Sequence, residues 1–328
     1  MKIHIGIDAG GTSTRCIAVA ANGECVGYGV AASGNPISAG PALAAASVAD
    51  AVADALRQAG ASGDRVTIVV LAMAGASARG SLHVFAEALA PLGVSAPNVF
   101  APDLLATFCS GTWRPAGYAL VAGTGSAAVR VEDGEVAATA DGLGWLLGDE
   151  GSGFWIGRRV VRAAVAELDR RGPSTALTPL LLAALGLDLA GTVRRGRPAV
   201  LDRLIDQLYA LRPVELSRFA PLAFEAADDP TAAAIVQGAA DALTRTLDAV
   251  ADPAVTGPIV LGGGTLAGRP ELASRIGSSR LSADRTEICT VADGTVGAAV
   301  LALRRASVTV DERVFARIEA TLAALRST

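Results

Sequence analysis

Lysine is nearly absent from this chain of 328 residues: Lys2 is the only one, and arginine supplies the rest of the 28 basic side chains. With alanine abundant as well, this reads as GC-rich coding bias. It also excludes a phosphate-binding loop of the GxxxxGK[ST] type, which needs a lysine to reach the terminal phosphates and whose pattern does not occur. Histidine is scarce too. A Ser-His-Asp triad or a multi-histidine metal site would have to use both His4 and His83. The four cysteines, Cys16, Cys25, Cys109 and Cys289, lie far apart with no CxxC pairing, so ordinary reduced thiols are expected and a disulfide framework or zinc site is not. There is no surplus of basic charge: 18% of residues are charged and the net charge is −4. No nucleic-acid partner is expected, and a small neutral or cationic one fits better. No apolar tract can span a bilayer, because "PALAAASVADAVADAL" carries Asp50 and Asp54 and "PLLLAALGLDLAG" carries Asp188. Nor does the start of the chain show a basic region, an apolar stretch and a cleavage site, which makes the cytoplasm the expected location.

At about 100–200 residues per domain, the length implies two cores. Residues 3–9 and 14–20 read as strands around a Gly-rich turn, and Asn22-Gly23 reverses the chain into a third strand near 24–31. A helix follows from about Pro41 to Gly60, then a strand at 66–75, a helix near 78–92, a short strand at 98–101 and a helix beginning at Asp103. The meander then returns: "YALVAGTGSAAVRVEDGEVAAT" (118–139) has a strand, a glycine turn, a second strand and a tight reversal at Asp133-Gly134. Two copies of one unit predict a duplicated α/β protein. The domains are placed at 1–114 and 115–310, with a helical insertion over about 172–232. The second domain closes with a helix at about 231–251, strands at 258–264 and 287–291 and helices from about 270 and over 295–306. The amphipathic segment 311–328 is read as a helix able to pack back on the first domain.

Three glycine turns, "DAGGTST" (8–14), "AGTGSA" (122–127) and "LGGGTLAG" (261–268), each follow an apolar strand. Glycine with Thr or Ser can aim successive N–H groups and a hydroxyl at one anion. Any one such turn alone is simply a tight hairpin; three in one chain point to phosphate. The first turn leads into a strand rather than a helix, which departs from the dinucleotide-binding GxGxxG arrangement and makes it a strand–turn–strand clamp. Asp103 follows a short strand and opens a helix, where an aspartate serves well as N-cap. Asp149 and Glu150 in "GDEGSG" precede a helix, a place that suits acids against the macrodipole. Trp155 reads as core packing in preference to a sugar platform.

These motifs together resemble the actin-like ATPase and sugar kinase superfamily. They are Asp-x-Gly-Gly-Thr in the first hairpin, Gly-Thr-Gly-Ser in the second, an Asp after the strand at 98–101, and Gly-Gly-Gly late in the chain. Within it, "GWLLGDEGSGFWIGRRVV" (144–161) is similar to the N-acetylglucosamine kinase and BadF-type ATPase family. The resemblance spans the chain except for 172–232. It implies two duplicated actin-like (ribonuclease H-like) domains around an interdomain cleft, with ATP and Mg²⁺ as cofactors. It assigns Asp8 to the metal and Gly10, Gly11, Thr12, Ser13, Gly123, Thr124, Gly125 and Ser126 to the ATP phosphates. Gly262, Gly263 and Gly264 fall to adenosine, Asp103 to the catalytic base, and Asn35, Asp103, Asp149 and Glu150 to the sugar. A homodimer is a candidate assembly.

The resemblance also implies phosphorylation of the 6-hydroxyl of an amino sugar, and two departures bear on which one. Family members with the acetylated sugar as substrate carry small or sulfur-bearing residues and glycine before Gly-Asp-Glu, whereas "TADGLGW" presents Ala140 and Asp141. A carboxylate at Asp141 near the C2 substituent favours an ammonium, since opposite charges at ~4 Å and an effective dielectric of ~20 gain about 4 kcal/mol before desolvation. The family's serine after the third first-domain strand is replaced by Ala74 in "LAMAG". Glucosamine is therefore expected ahead of N-acetylglucosamine. Two alternatives are an iron–sulfur activator of a redox enzyme and a non-catalytic sugar sensor. The scattered cysteines oppose the first; the presence of Asp103, with no helix-turn-helix segment before Lys2, opposes the second.

Overall fold

The computed structural model describes residues 1–74, 82–189, 193–194, 196–276 and 287–327. Strands β1 (Ile3–Ala9), β2 (Thr14–Val19) and β3 (Cys25–Ala31) form an antiparallel meander, and β4 (Val66–Met73) and β5 (Asn98–Pro102) extend it in parallel beyond β1. The second sheet repeats this plan. Strands β6 (Gly117–Ala122), β7 (Ser126–Glu132) and β8 (Glu135–Asp141) are the meander. After a short ribbon of β9 (Val193–Arg194) and β10 (Arg197–Pro198), β11 (Ile259–Gly262) and β12 (Ile288–Thr290) add in parallel beyond β6. Both sheets run third, second, first, fourth, fifth strand, so the repeated hairpin is the start of a repeated domain.

The central strand β1 sends Ile3, Ile5 and Ile7, all at 0% exposure, to one face and His4, Gly6 and Asp8 to the other, and that second face is covered too, with His4 buried and Gly6 against the Ala298 backbone. Burying each isoleucine stabilises by roughly 1.5–3 kcal/mol. The first half carries α1 (Pro36–Ala39), α2 (Pro41–Gln58), α3 (Leu82–Leu89) and α4 (Asp103–Gly111). The helix expected near 78–92 is observed over Leu82–Leu89, followed by a 3₁₀ turn at Ala90–Leu92; residues 78–81 lie outside the described residues. Expected strand and helix ends elsewhere differ by one to three residues, as at α2, which stops at Gln58 rather than Gly60.

The second half carries α5 (Gly153–Leu168), then α6 (Leu177–Ala184), α7 (Val200–Tyr209) and α8 (Pro221–Glu225) in the segment read as a helical insertion. It continues with α9 (Pro230–Asp248), α10 (Gly264–Ala267), α11 (Pro270–Ile276), α12 (Thr295–Arg305) and α13 (Glu312–Arg326). Leucines and alanines of α5–α9 form one core with β6 and β11. No described helix is long and apolar enough to cross a membrane.

Two helices tie the halves together. Helix α4 packs on β6, β7 and β11 of the second sheet, and α12 packs on β1, β2 and β4 of the first as well as on α4. Their crossing is close because α12 presents Gly297: a Cβ there would lie 1.8 Å from the Ala106 carbonyl oxygen. On the sheet side, Gly6 of β1 makes room for the backbone of Ala298. The Gly297 N–H donates to Ser110 Oγ at 2.8 Å and fixes the register of the crossing. Helix α13 lies against β3, where Thr321 Oγ1 accepts the Cys25 N–H at 2.9 Å and Arg317 pairs with Glu24.

Candidate active site

The end of β1 organises the first group of residues. The Gly10 N–H donates to the Ser13 carbonyl at 3.0 Å and closes the turn, leaving Gly11 and Thr12 exposed. Thr14 Oγ1 donates to the Ala32 carbonyl and Ser33 Oγ to the Gly10 carbonyl, so the turn rests on the segment that carries Asn35. Asn35 is buried, and its Oδ1 caps α1 by accepting the Ile37 N–H at 2.8 Å.

Asp8 accepts the Gly294 N–H on Oδ2 at 2.9 Å. Burial pushes its carboxyl up to about 6, and the nearby charges of Asp293 and Asp103 push the same way. Asp103 is the first residue of α4, with burial again raising its carboxyl and the Leu104 N–H at 2.9 Å opposing the rise. The N-cap role expected for Asp103 is corrected: Pro102 occupies that position, and Asp103 Oδ1 serves only the next N–H.

Three residues of this group went unread in the sequence. Both carboxylate oxygens of Asp293 accept from Arg326 Nη2 at 2.9 Å and Oδ2 lies 3.4 Å from Arg15 Nε, while Arg15 Nη1 donates to Ser13 Oγ at 2.9 Å. Burial alone would raise the Asp293 carboxyl, but hydrogen bonds from Thr295 and Arg326 outweigh it and the net direction is down. The chain Arg326, Asp293, Arg15, Ser13 thus fastens α13 to the first glycine turn. The one signal for it was an Asp-Gly pair before an apolar helix, in "VADGTVGAA".

The second group surrounds the β6–β7 turn. The Gly123 carbonyl accepts from the Gly153 N–H at 2.8 Å and Thr265 Oγ1 at 2.9 Å, and the Thr124 carbonyl accepts from the Phe154 N–H at 3.1 Å. Gly263 and Gly264 abut this turn, while Gly262 pairs with Val121 in the sheet and faces Thr107. Gly263 has φ 87°, and a Cβ there would come within 2.6 Å of the Ala122 backbone, so only glycine fits. Two of the three glycine turns are therefore one surface.

Asp149 is buried with φ 57°, and its Oδ1 accepts the Ser126 N–H at 3.1 Å. Burial raises its carboxyl, with the charge of Asp141 contributing. Ser126 Oγ donates to the Glu150 carbonyl at 2.9 Å, and Glu150 Oε2 accepts the Trp155 indole N–H at 2.6 Å. Ser152 caps α5, accepting the Trp155 N–H, so Asp149 and Glu150 stand outside the first turn where acids meet the macrodipole. Asp141 has a structural task that sequence reading did not give it. Its carboxylate accepts the N–H groups of Asp149 at 2.7 Å, Glu150 at 2.9 Å and Leu143 at 3.4 Å.

The structure thus assembles two surfaces: Asp8, the 10–13 turn, Asn35 and Asp103 on one, and the 123–126 turn, Gly262–Gly264, Asp141, Asp149 and Glu150 on the other. Among the described residues no hydrogen bond joins them. None of the described residues forms a cluster of three His, Cys, Asp or Glu able to hold a metal ion unaided. Asp8 nonetheless suits a divalent cation that takes its other ligands from substrate phosphates and water, because its half-buried carboxylate sits among acids and gives one oxygen to a single N–H. Cys16, Cys25 and Cys109 are buried and Cys289 half-buried, with burial raising every thiol.

The model of the BadF/BadG/BcrA/BcrD ATPase family matches residues 5–302. The chain is 30% identical over 324 residues to the N-acetyl-D-glucosamine kinase of Dictyostelium discoideum, covering 92% of this chain and 98% of that one. It is 29% identical to the glucosamine kinase GspK of Vibrio cholerae, covering 74% and 78%. A solved structure of a candidate N-acetylglucosamine kinase from Chromobacterium violaceum superposes with TM-score 0.69 at 25% identity, covering 92% and 99%.

Proposed function

The chain belongs to the BadF/BadG/BcrA/BcrD ATPase family, a two-domain fold shared with sugar kinases, and from that premise we propose that it phosphorylates the 6-hydroxyl of an amino sugar with ATP. Asp103 is the base: its carboxylate, lifted above the ordinary aspartate value by burial, accepts the proton of the attacking hydroxyl. Mg²⁺, when bound, supplies charge neutralisation for the transferred phosphoryl group, and Asp8 is the residue that would hold it, directly or through water. The turn at 10–13 and the joined turns at 123–126 and 262–264 hold the phosphates and the adenosine side. Asn35 and Asp149 orient the sugar. The observation that carries this reading is that Asp8 and Asp103, two half-buried acids near the ends of β1 and β5, lie close enough for the charge of Asp103 to raise the Asp8 carboxyl.

For the sugar itself we take glucosamine first. Asp141, Asp149 and Glu150 make this side of the site acidic, and a cationic amine gains from that field where a neutral acetamide does not. N-Acetylglucosamine is the second reading, favoured by one observation: the Asp141 carboxylate is already given to three backbone N–H groups. A coupled ATP assay across glucosamine, N-acetylglucosamine and glucose tests both. Glucosamine should show the highest kcat/KM. A higher value for the acetylated sugar selects the second reading, and no sugar-dependent turnover at all defeats the proposal.

A further inference from the structure

A cavity of about 180 Å³ lies on the rim of the second domain, between the loop Trp145–Gly148 and the first turns of α5. Its walls carry three arginines, Arg158, Arg159 and Arg162, and one acid, Glu150. Helical spacing puts the arginines on neighbouring turns of one face. None of them forms an ion pair within 4 Å among the described residues, although many other arginines of the chain do. Arg159 lies over the Trp155 ring, 3.2 Å from its centroid, and burial and its two cationic neighbours hold its guanidinium below the usual arginine value. Glu150, whose Oε2 accepts the Trp155 indole N–H, offsets part of that lowering by its charge.

Three guanidinium groups against one carboxylate leave a surplus of two positive charges facing a small cavity. An oxyanion seated there would offset their mutual repulsion. A guanidinium fork matches an oxyanion bidentately, and a phosphate carries about −1.5 to −2 charge at neutral pH, which balances the wall; a single carboxylate would leave it cationic. At about 180 Å³ the cavity has room for one phosphate group.

We propose that this cavity is a phosphate site, separate from the ATP turns, that binds a single phosphate dianion through Arg158, Arg159 and Arg162. Its source is either free phosphate or the phosphate of a sugar phosphate. The site touches the sugar-binding loop by a short route. Arg159 stacks on Trp155, Trp155 holds Glu150, and the Glu150 carbonyl holds Ser126 beside Asp149. Phosphate that draws Arg159 toward the cavity loosens that route, so occupancy is read at the loop carrying Asp149.

Binding is testable without any assay of catalysis. Trp145 and Trp155 line the cavity, while Trp113, the third tryptophan, lies elsewhere, so a Trp113→Phe background makes intrinsic fluorescence report on this site. Titration with inorganic phosphate should shift the emission saturably, and potassium chloride at equal ionic strength should not. Arg158→Gln/Arg162→Gln, changing exposed side chains, should weaken phosphate at least tenfold; Arg162→Glu should abolish the response. Glucosamine 6-phosphate binding tighter than inorganic phosphate makes the sugar phosphate the source; equal or weaker binding makes it free phosphate. An unchanged phosphate affinity in the double variant, as binding at the glycine turns alone would give, overturns the proposal. So does the absence of any saturable response by fluorescence and calorimetry.

Discussion

Asp103 and Asp8 are both half-buried acids; substitution of the first is read most directly in activity and substitution of the second in stability. Asp103→Asn keeps the Leu104 contact through its amide oxygen and should lower kcat by ~10²–10⁴, the usual worth of a positioned base, with little change in the KM for ATP. Activity within a few-fold of the parent would reduce Asp103 to a structural acid. For Asp8 the carboxyl is raised from 3.8 to about 6, so the folded state holds its proton more tightly than the unfolded state does. Ionising it costs folding energy: the cost is absent below pH 4, grows between pH 4 and 6, and is complete above 6. In Mg²⁺-free buffer Asp8→Asn should therefore be more stable than the parent at pH 7 by on the order of 1–3 kcal/mol, with the difference vanishing near pH 4. Thermal melts across that range measure it, and a constant or reversed difference contradicts the assignment of a strained half-buried charge.

Among the elements, the crossing of α4 and α12 is the least forgiving. A Cβ at Gly297 would meet the Ala106 carbonyl, so Gly297→Ala must push the helices apart, at a cost of about 1–3 kcal/mol or more. A melting temperature unchanged by that substitution would mean that the crossing is looser than drawn. This contact illustrates what was legible beforehand. The two meanders, the three glycine turns and the helices between them were readable because each is a local pattern of period and turn chemistry. What a residue's side chain reaches across the fold was not. Asp141 looked like a free carboxylate for a sugar amine, and its true partners are N–H groups of Asp149 and Glu150, brought back by a loop of left-handed residues. Asp103 looked like a helix cap, and Pro102 took that place. Asp293 escaped notice since its meaning depends on Arg15 and Arg326, one at each end of the chain.

At the scale of the whole molecule, the proposed site is divided between two copies of one domain joined by α4 and α12, with the base on one copy and Asp149 on the other. Sugar that contacts both should draw them together, excluding water from the phosphoryl group and restraining idle ATP hydrolysis. Small-angle scattering should show a smaller radius of gyration with glucosamine than without, and Asp149→Ala should blunt the change; equal radii would show that closure plays no part. The claim on which all of this stands is that a phosphoryl group passes from ATP to the 6-hydroxyl of an amino sugar with Asp103 as base. Phosphorus NMR of the product tests it most directly. After incubation with Mg·ATP and glucosamine, or its N-acetyl form, the spectrum should show a phosphomonoester coupled to the two C6 protons, and the signal should be lost in Asp103→Asn over the same time. Release of inorganic phosphate alone, or an equal yield from Asp103→Asn, would contradict the account.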